Sequence, residues 1–169
     1  MTKIKKILVT GGCGFIGSNF LNIMVQKYKE INFLNIDKLT YAGKKKNLNK
    51  VEDLKNYSFR KIDICDYKKL NKIIKQFNPD IVVHFAAESH VDNSIKAPGQ
   101  FIQTNIYGTY NILRSINKKI FLIHISTDEV YGHVVNNKSF DENTKYNPRS
   151  PYSASKASAE HFLRAWGKT

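Results

Sequence analysis

The sequence has few cysteines, few prolines and no long hydrophobic run. Its 2 cysteines, Cys13 and Cys65, lie in no CxxC or Cys/His cluster, which argues against a zinc site or a redox pair. We interpret both as free thiols in a reducing cytoplasm. No apolar run approaches the roughly 18 residues of a membrane span, and the first apolar segment leads into glycines rather than a cleavage site. We therefore expect neither a membrane anchor nor a signal peptide.

Acidic residues are also scarce, with 14 against 27 basic ones, for a net charge of +13. Such an excess would suit a polyanionic partner such as nucleic acid. The lysines are dispersed, however, and their short clusters are not interleaved with aromatic residues. A solvated surface is favoured, and neither nucleic acid nor a membrane is predicted as a partner. With 41% hydrophobic residues, the chain has enough apolar side chains for one globular domain spanning residues 1–169.

Short apolar runs alternate with longer helical stretches, which is typical of βαβ units. The candidate strands are residues 6–10, 32–37, 58–62, 81–85 and 120–126. Several are continuously apolar, as strands buried on both faces should be. The sequence therefore predicts an α/β fold with a doubly wound parallel sheet, the Rossmann fold.

Two helices of the second half have recognisable signals. The segment from Phe101 to Asn117 has one apolar stripe at alternating spacings of four and three. That stripe consists of Ile102, Ile106, Thr109, Leu113 and Ile116. A last helix is predicted from Pro151, with Ser150 as its cap.

A glycine cluster, TGGCGFIGS, follows the first strand and opens the first helix. Gly11, Gly14 and Gly17 fit a GxxGxxG pattern, and Gly12 with the last two also fits GxGxxG. Glycine permits a tight turn and lets backbone N–H groups approach a pyrophosphate at the helix N-terminus. The context of strand, glycines and helix predicts a dinucleotide site.

About 20 residues further on, Asp37 ends the second strand, where a carboxylate would accept hydrogen bonds from ribose hydroxyls. Its charge would repel a 2′-phosphate, which favours NAD over NADP, although the adjacent Lys38 keeps NADP open. Asp63, at the end of the third strand, is placed to accept a hydrogen bond from an adenine amino group. Ala86 and Ala87 after the fourth strand would allow close approach of a cofactor; a loop cap and small core residues are the alternatives for these three positions.

The residues with acid, base and hydroxyl chemistry follow the fifth strand. Thr127, Asp128 and Glu129 come at its carboxyl end, where ligands bind in open α/β sheets. Tyr152 and Lys156 are four residues apart and therefore share a helical face. An ammonium group near the phenol is expected to lower the tyrosine pKa towards that of a usable base.

With these residues in view, the chain resembles the extended short-chain dehydrogenase/reductase family, and within it the dTDP-glucose 4,6-dehydratases. The resemblance extends over essentially the whole sequence and is carried by DKLTYAG at 37–43, AAESHVD at 86–92 and STDEVYG at 126–132. The last motif discriminates most, because related epimerases lack the consecutive Asp-Glu pair. His90 is interpreted as structural.

The resemblance implies NAD as the cofactor and no metal. The cofactor-binding residues that it implies are Gly11, Gly14, Phe15, Ile16, Gly17, Asp37, Lys38, Leu39, Thr40, Gly43, Asp63, Ile64, Phe85, Ala86, Ala87, Ser89, Thr104, Tyr152 and Lys156. It also implies that Glu88 and Thr127 contact a nucleotide-sugar substrate.

The resemblance implies a mechanism in which a nucleotide-activated glucose becomes a 4-keto-6-deoxy sugar, as in rhamnose-type deoxysugar biosynthesis. Tyr152, sharing a hydrogen bond with Thr127, would take the C4 hydroxyl proton, and Lys156 would hold the nicotinamide ribose. Glu129 would then remove the C5 proton while a protonated Asp128 donates to the departing C6 hydroxyl.

Family members continue with a sixth strand and a C-terminal substrate lobe, which this sequence does not encode. We therefore expect weak substrate binding and an unpaired sheet edge. The resemblance also implies a homodimer through the helices at 101–117 and 152–165, although these could instead bury their apolar faces within one monomer. The alternatives for function are a UDP-glucose 4,6-dehydratase, a related epimerase or decarboxylase, and a silent NAD-binding or RNA-binding fragment.

Overall fold

A computed structural model of the chain describes residues 4–134 and 139–169, and its five strands form one parallel sheet. The strands are β1 (Lys6–Thr10), β2 (Asn32–Asp37), β3 (Tyr57–Lys61), β4 (Ile81–His84) and β5 (Phe121–His124). They pair in the order β3-β2-β1-β4-β5. This confirms the predicted Rossmann-type sheet; β1 and β2 have the predicted bounds, and those of β3, β4 and β5 differ from the prediction by one or two residues.

The described residues divide into two compact units. The sheet unit comprises residues up to 86 together with 114–125, and the helical unit comprises 87–113 and 126–169. Among the residues that the structure describes, no helix is long and apolar enough to cross a membrane.

The sheet unit is built around β1, whose neighbours are β2 on one side and β4 on the other. The chain order reverses there, and the carboxyl ends of strands beside such a switch point are where ligands bind in open α/β sheets. Leu8 and Val9 of β1 are completely buried, and the strand is continuously apolar for that reason. Helices α1 (Phe15–Lys27) and α2 (Tyr67–Phe77) belong to this unit.

In the part of the chain that the structure describes, β5 pairs with β4 on one side only. Phe121 and Ile123 of β5 are 66% and 39% exposed. The strand therefore presents the unpaired edge that the sequence led us to expect.

The helical unit contains α3 (Val91–Lys96), α4 (Pro98–Phe101), a π-helical segment (Ile102–Gly108) and part of α5 (Thr109–Ser115). It ends with a 3₁₀ turn (Asp128–Tyr131) and α6 (Pro151–Lys168). The start of α6 is as predicted: the Ser150 hydroxyl accepts a hydrogen bond from Ser153 N–H, and the Ser153 hydroxyl accepts one from Ser150 N–H, both at 3.0 Å.

The predicted apolar stripe on the 101–117 helix is only partly correct. Thr109 and Leu113 are buried, but Ile102 is 57% exposed, while Phe101 and Asn105 take the buried positions. A π-helical turn contains about one residue more than an α-helical turn. The buried face of the segment before Gly108 is therefore displaced by one position from the one that α-helical spacing predicts. The 3.6-residue spacing used for the prediction does not apply across such a segment.

Candidate functional site

The glycine turn of the sheet unit meets the steric demands of a dinucleotide site. Gly11 has φ +71°, and a Cβ there would lie 2.5 Å from the backbone nitrogen of Ala86. A Cβ on Gly17 would lie 2.5 Å from the Gly11 carbonyl oxygen. Gly14 is the N-cap of α1 and offers no side-chain acceptor to the first helical N–H groups. The start of α1 is therefore suited to an anion such as a pyrophosphate.

Asp37 is the carboxylate predicted for the ribose hydroxyls, and it is 9% exposed. Its Oδ2 accepts a hydrogen bond from Cys13 N–H at 2.9 Å, and its Oδ1 accepts one from Leu39 N–H at 2.7 Å. A Cβ on Gly43 would lie 2.9 Å from that Oδ1, which explains a glycine at this position. Each carboxylate oxygen has a further lone pair, so these bonds orient the group and leave it able to accept from a ligand hydroxyl.

Lys38 and Asp63 form an ion pair, with Nζ 2.7 Å from Oδ2. Asp63 also accepts from Cys65 N–H at 2.9 Å. Burial by itself would raise the pKa of Asp63, but the hydrogen bond and charge of Lys38 outweigh it and hold that pKa below its usual 3.8. In the sequence analysis, Lys38 kept NADP as an alternative cofactor. Its ammonium group is engaged by the Asp63 carboxylate, which favours NAD.

The remaining residues of the sheet unit that were predicted to bind the cofactor differ in their exposure. Phe15 and Ile16 are 83% and 60% exposed at the start of α1. Ile64 is buried. Thr40 accepts from Gly43 N–H at 3.2 Å, and Phe85 N–H donates to Thr10 at 3.0 Å, where the strand leads into Ala86.

In the helical unit, the structure brings Tyr152 and Thr127 together through a hydrogen bond. Tyr152 is buried with its ring edge against Phe101, the centroids 6.4 Å apart. The Thr127 hydroxyl also accepts from Glu129 N–H at 3.3 Å and donates to Asp128 at 3.4 Å. The hydroxyl therefore links the phenol to the turn that carries both carboxylates.

Lys156 lies one helical turn after Tyr152 on α6, and it is 4% exposed. Burial lowers the pKa of the Lys156 ammonium from 10.5 to about 8, an effect that the Glu160 carboxylate partly offsets. The pKa of Tyr152 is raised from 10.0, chiefly by burial and also by Glu129 and Asp128, while the Thr127 hydrogen bond lowers it. The expected lowering of the tyrosine pKa is therefore wrong for the protein alone, because desolvation and two nearby carboxylates dominate.

Glu88, predicted to contact the substrate, is fixed by a residue that the sequence reasoning missed. Asn105 accepts from Glu88 N–H at 2.8 Å and donates to the Glu88 carbonyl at 2.9 Å and to the Ser155 hydroxyl at 2.9 Å. The one signal that could have identified it is an asparagine inside a helix pattern, where its intrinsic propensity is low. Asn105 lies in the π-helical segment, and such segments are frequent at functional sites.

Ala87, Ser89 and Thr104 complete the predicted set in this unit. Ser89 is exposed, while Ala87 and Thr104 are half-buried. His90 is the N-cap of α3 and makes no side-chain capping bond. In residues 4–134 and 139–169, no group of three or more His, Cys, Asp or Glu side chains is arranged to hold a metal ion.

Comparison with known proteins places these residues in a family. A family profile described as GDP-mannose 4,6 dehydratase matches residues 8–169. The chain belongs to this family. A curated relative from Sinorhizobium fredii, named a probable dTDP-glucose 4,6-dehydratase, is 48% identical over 97% of the chain and 49% of its own length. The chain thus spans about half the length of the curated relatives it matches.

Two solved structures show the same fold. A dTDP-glucose 4,6-dehydratase from Bacillus anthracis, in complex with NAD, is 42% identical with a TM-score of 0.87 over 97% of this chain and 51% of that one. A Thermus thermophilus UDP-glucose 4-epimerase, in complex with NAD, is 30% identical with a TM-score of 0.86 over 96% and 51%. The fold is therefore common to dehydratases and epimerases, and the choice between them depends on individual residues.

Proposed function

We propose that this chain is the cofactor-binding and catalytic part of an enzyme that dehydrates dTDP-glucose to its 4-keto-6-deoxy product. The observation that carries the proposal is the Thr127 hydroxyl, hydrogen-bonded to the Tyr152 phenol and to the turn of Asp128 and Glu129. Through this bond the phenol of α6 lies beside a turn that carries a hydroxyl and two carboxylates, the groups that an oxidation followed by an elimination requires. Relatives named dTDP-glucose 4,6-dehydratases, at 48% identity, support the same assignment.

The residues of the sheet unit fit NAD as the cofactor. The turn at Gly11, Gly14 and Gly17 would hold the diphosphate, and Asp37 would accept from the adenosine ribose. NAD bound there would supply the reversible hydride transfer that oxidation at C4 of the sugar and reduction at C6 require. The NAD complexes of the Bacillus anthracis and Thermus thermophilus proteins support this choice.

The residues of the helical unit supply the proton transfers. Tyr152 takes the proton of the C4 hydroxyl, and Thr127 orients the phenol through their hydrogen bond. Lys156, cationic below a pH of about 8, would hold the nicotinamide ribose. Glu129 removes the C5 proton that the 4-ketone has made acidic, and Asp128 in its protonated form donates to the leaving C6 hydroxyl.

The test compares dTDP-glucose with UDP-glucose, using the 169-residue chain and a longer protein that contains it. A 4-keto sugar is detected by its ultraviolet absorbance in alkali. From the longer protein we expect product with dTDP-glucose, none with Tyr152→Phe, and none with Glu129→Gln although NAD still binds. Full turnover in either variant would contradict the proposed mechanism. Product from UDP-glucose alone would reassign the nucleotide, and a C4 epimer without 4-keto product would favour the epimerase.

We further propose that the chain acts as a homodimer in a reducing cytoplasm. Large apolar side chains stay exposed on two stretches of the helical unit, Ile102 and Tyr107 on the π-helical segment and Phe162 and Trp166 on α6. Exposed apolar patches on helices favour association. Two free cysteines agree with reducing conditions. Light scattering of the chain and of Phe162→Asp tests the dimer: we expect twice the 19.4 kDa chain mass for the first and a monomer for the second.

A further inference from the structure

Glu160 lies on α6 one helical turn after Lys156, within the helical unit, and the mechanism above gives it no role. One of its carboxylate oxygens accepts a hydrogen bond from the Ser126 hydroxyl, and the other accepts one from the Tyr146 hydroxyl. Ser126 immediately precedes Thr127. The carboxylate therefore ties the start of the proposed catalytic turn to the helix that carries Tyr152 and Lys156.

The surroundings of Glu160 keep both of its oxygens occupied by donors. Tyr146 packs against the His161 ring at 5.1 Å and the Tyr131 ring at 5.7 Å, and the Arg164 guanidinium lies 5.1 Å from the Tyr146 ring centre. Burial, and then the bond to Glu160, raise the pKa of Tyr146 to about 12. The phenol thus stays protonated, as a donor to a carboxylate must be, throughout the range in which proteins work.

Lys156 is the buried cation closest in sequence to this carboxylate. A buried ammonium group without a counter-charge tends to lose its proton, because desolvation disfavours the charged form. The charge of Glu160 acts in the opposite direction on Lys156. Glu160 therefore has two effects on the proposed site, one through hydrogen bonds to the turn and one through its charge.

We propose that Glu160 is a positioning residue that holds the Thr127–Glu129 turn on α6 and supplies the counter-charge for the Lys156 ammonium. Its importance for turnover rests on the proposed function, but its effect on Lys156 does not. The charged and titratable groups around it are Lys156, His161 and Arg164 on α6 and Tyr146 on the preceding segment, with Tyr131 beyond Tyr146.

The test measures the pKa of Lys156 in the 169-residue chain by NMR of isotopically labelled lysine, with the resonance assigned from Lys156→Arg. We expect Glu160→Gln to lower that pKa by about one unit, the size expected for loss of a nearby opposite charge. Glu160→Asp should restore most of the shift. Glu142→Gln, an exposed acid of the same unit, is the matched control and should change nothing. An unchanged Lys156 pKa in folded Glu160→Gln would overturn the proposal.

The two effects of Glu160 are separated by the double variant Ser126→Ala and Tyr146→Phe. It removes both hydrogen bonds but keeps the charge, so the Lys156 pKa should stay while the Tyr152 pKa rises as the Thr127 bond loosens. Ultraviolet titration against Tyr152→Phe measures the second value. A Tyr152 pKa that does not move in this variant would contradict the positioning role.

Should Glu160→Gln not fold, the double variant Ser126→Ala, Tyr146→Phe still decides, because it leaves Glu160 in place. A Tyr152 pKa equal to that of the parent chain would then refute the proposal. None of these measurements needs substrate. If the longer protein turns over no dTDP-glucose while the 169-residue chain shows these shifts, the proposed function is rejected and Glu160 stays the partner of Lys156.

Discussion

The Lys38 ammonium lies 2.7 Å from the Asp63 carboxylate, so the cation next to Asp37 is held by a residue from the following strand's end. We predict that Asp63→Asn improves binding of NADP relative to NAD by about threefold, because the released ammonium becomes available to a 2′-phosphate. Fluorescence titration with both dinucleotides measures the ratio. Asp66→Asn, which alters the exposed pair with Lys69 at 2.9 Å, is the control and should leave the ratio as it is. A ratio unchanged in Asp63→Asn would show that Lys38 plays no part in the discrimination.

Gly11→Ala is expected to destabilise the chain by about 2 kcal/mol or more. The residue has φ +71°, and the added Cβ would meet the Ala86 backbone at 2.5 Å, which cannot move without disturbing β4. Gly99→Ala is the matched control, because a Cβ at Gly99 has open space around it. In urea unfolding, that variant should equal or exceed the parent. Equal midpoints for the two variants would mean that the turn at Gly11 adapts easily.

Lys156→Met should make the folded chain more stable, and the gain should depend on pH. Burial lowers the Lys156 pKa from 10.5 to about 8, so between these values the unfolded chain holds a proton that the folded chain has released. The free energy of unfolding contributed by this residue therefore rises with pH across that window and is lowest below pH 8. We expect Lys156→Met to gain on the order of 3 kcal/mol at pH 7, shrinking towards pH 10.5.

The same urea titrations at several pH values test this prediction. Groups such as Cys13 and Tyr57 titrate in both proteins and cancel in the difference. Lys168→Met, at the exposed end of α6, should show no such dependence. A gain that stays constant from pH 7 to 10.5 would come from packing and not from the charge.

Cys13 should resist thiol reagents in the folded chain. It is completely buried, and burial together with the charge of Asp37 raises its pKa from 9.0 to about 11. The thiolate fraction is thus about a hundredfold lower than in an exposed cysteine. Cys65, which is only half-buried, should react first with iodoacetamide, as peptide mass spectrometry can follow. Both should react alike in urea; equal rates without urea would indicate that the glycine turn opens readily.

Much of the sheet unit follows from local sequence. Continuous apolar runs gave β1 and β2 with their observed bounds, because strands buried on both faces leave no polar position. The cap at Ser150 was equally local, since it needs only the residues of one helical turn. The stripe on the 101–117 helix was wrong at Ile102, because a π-helical turn depends on what the helix packs against and not on its own periodicity.

The sequence by itself determined the parallel sheet, the glycine turn with its acidic partner Asp37, and the choice of chemically competent residues, since each depends on short-range pattern or residue type. Only the tertiary structure decided that Lys38 pairs with Asp63, that Asn105 holds Glu88, and that Glu160 gathers Ser126 and Tyr146. The contacts of Glu160 and Asn105 with these partners join residues that are 14 to 34 positions apart in the sequence. The contact of Asn105 with Ser155 spans a longer stretch still. The balance of burial and charge that sets the pKa of Tyr152 was likewise fixed by folding, because desolvation exists only once the chain is packed.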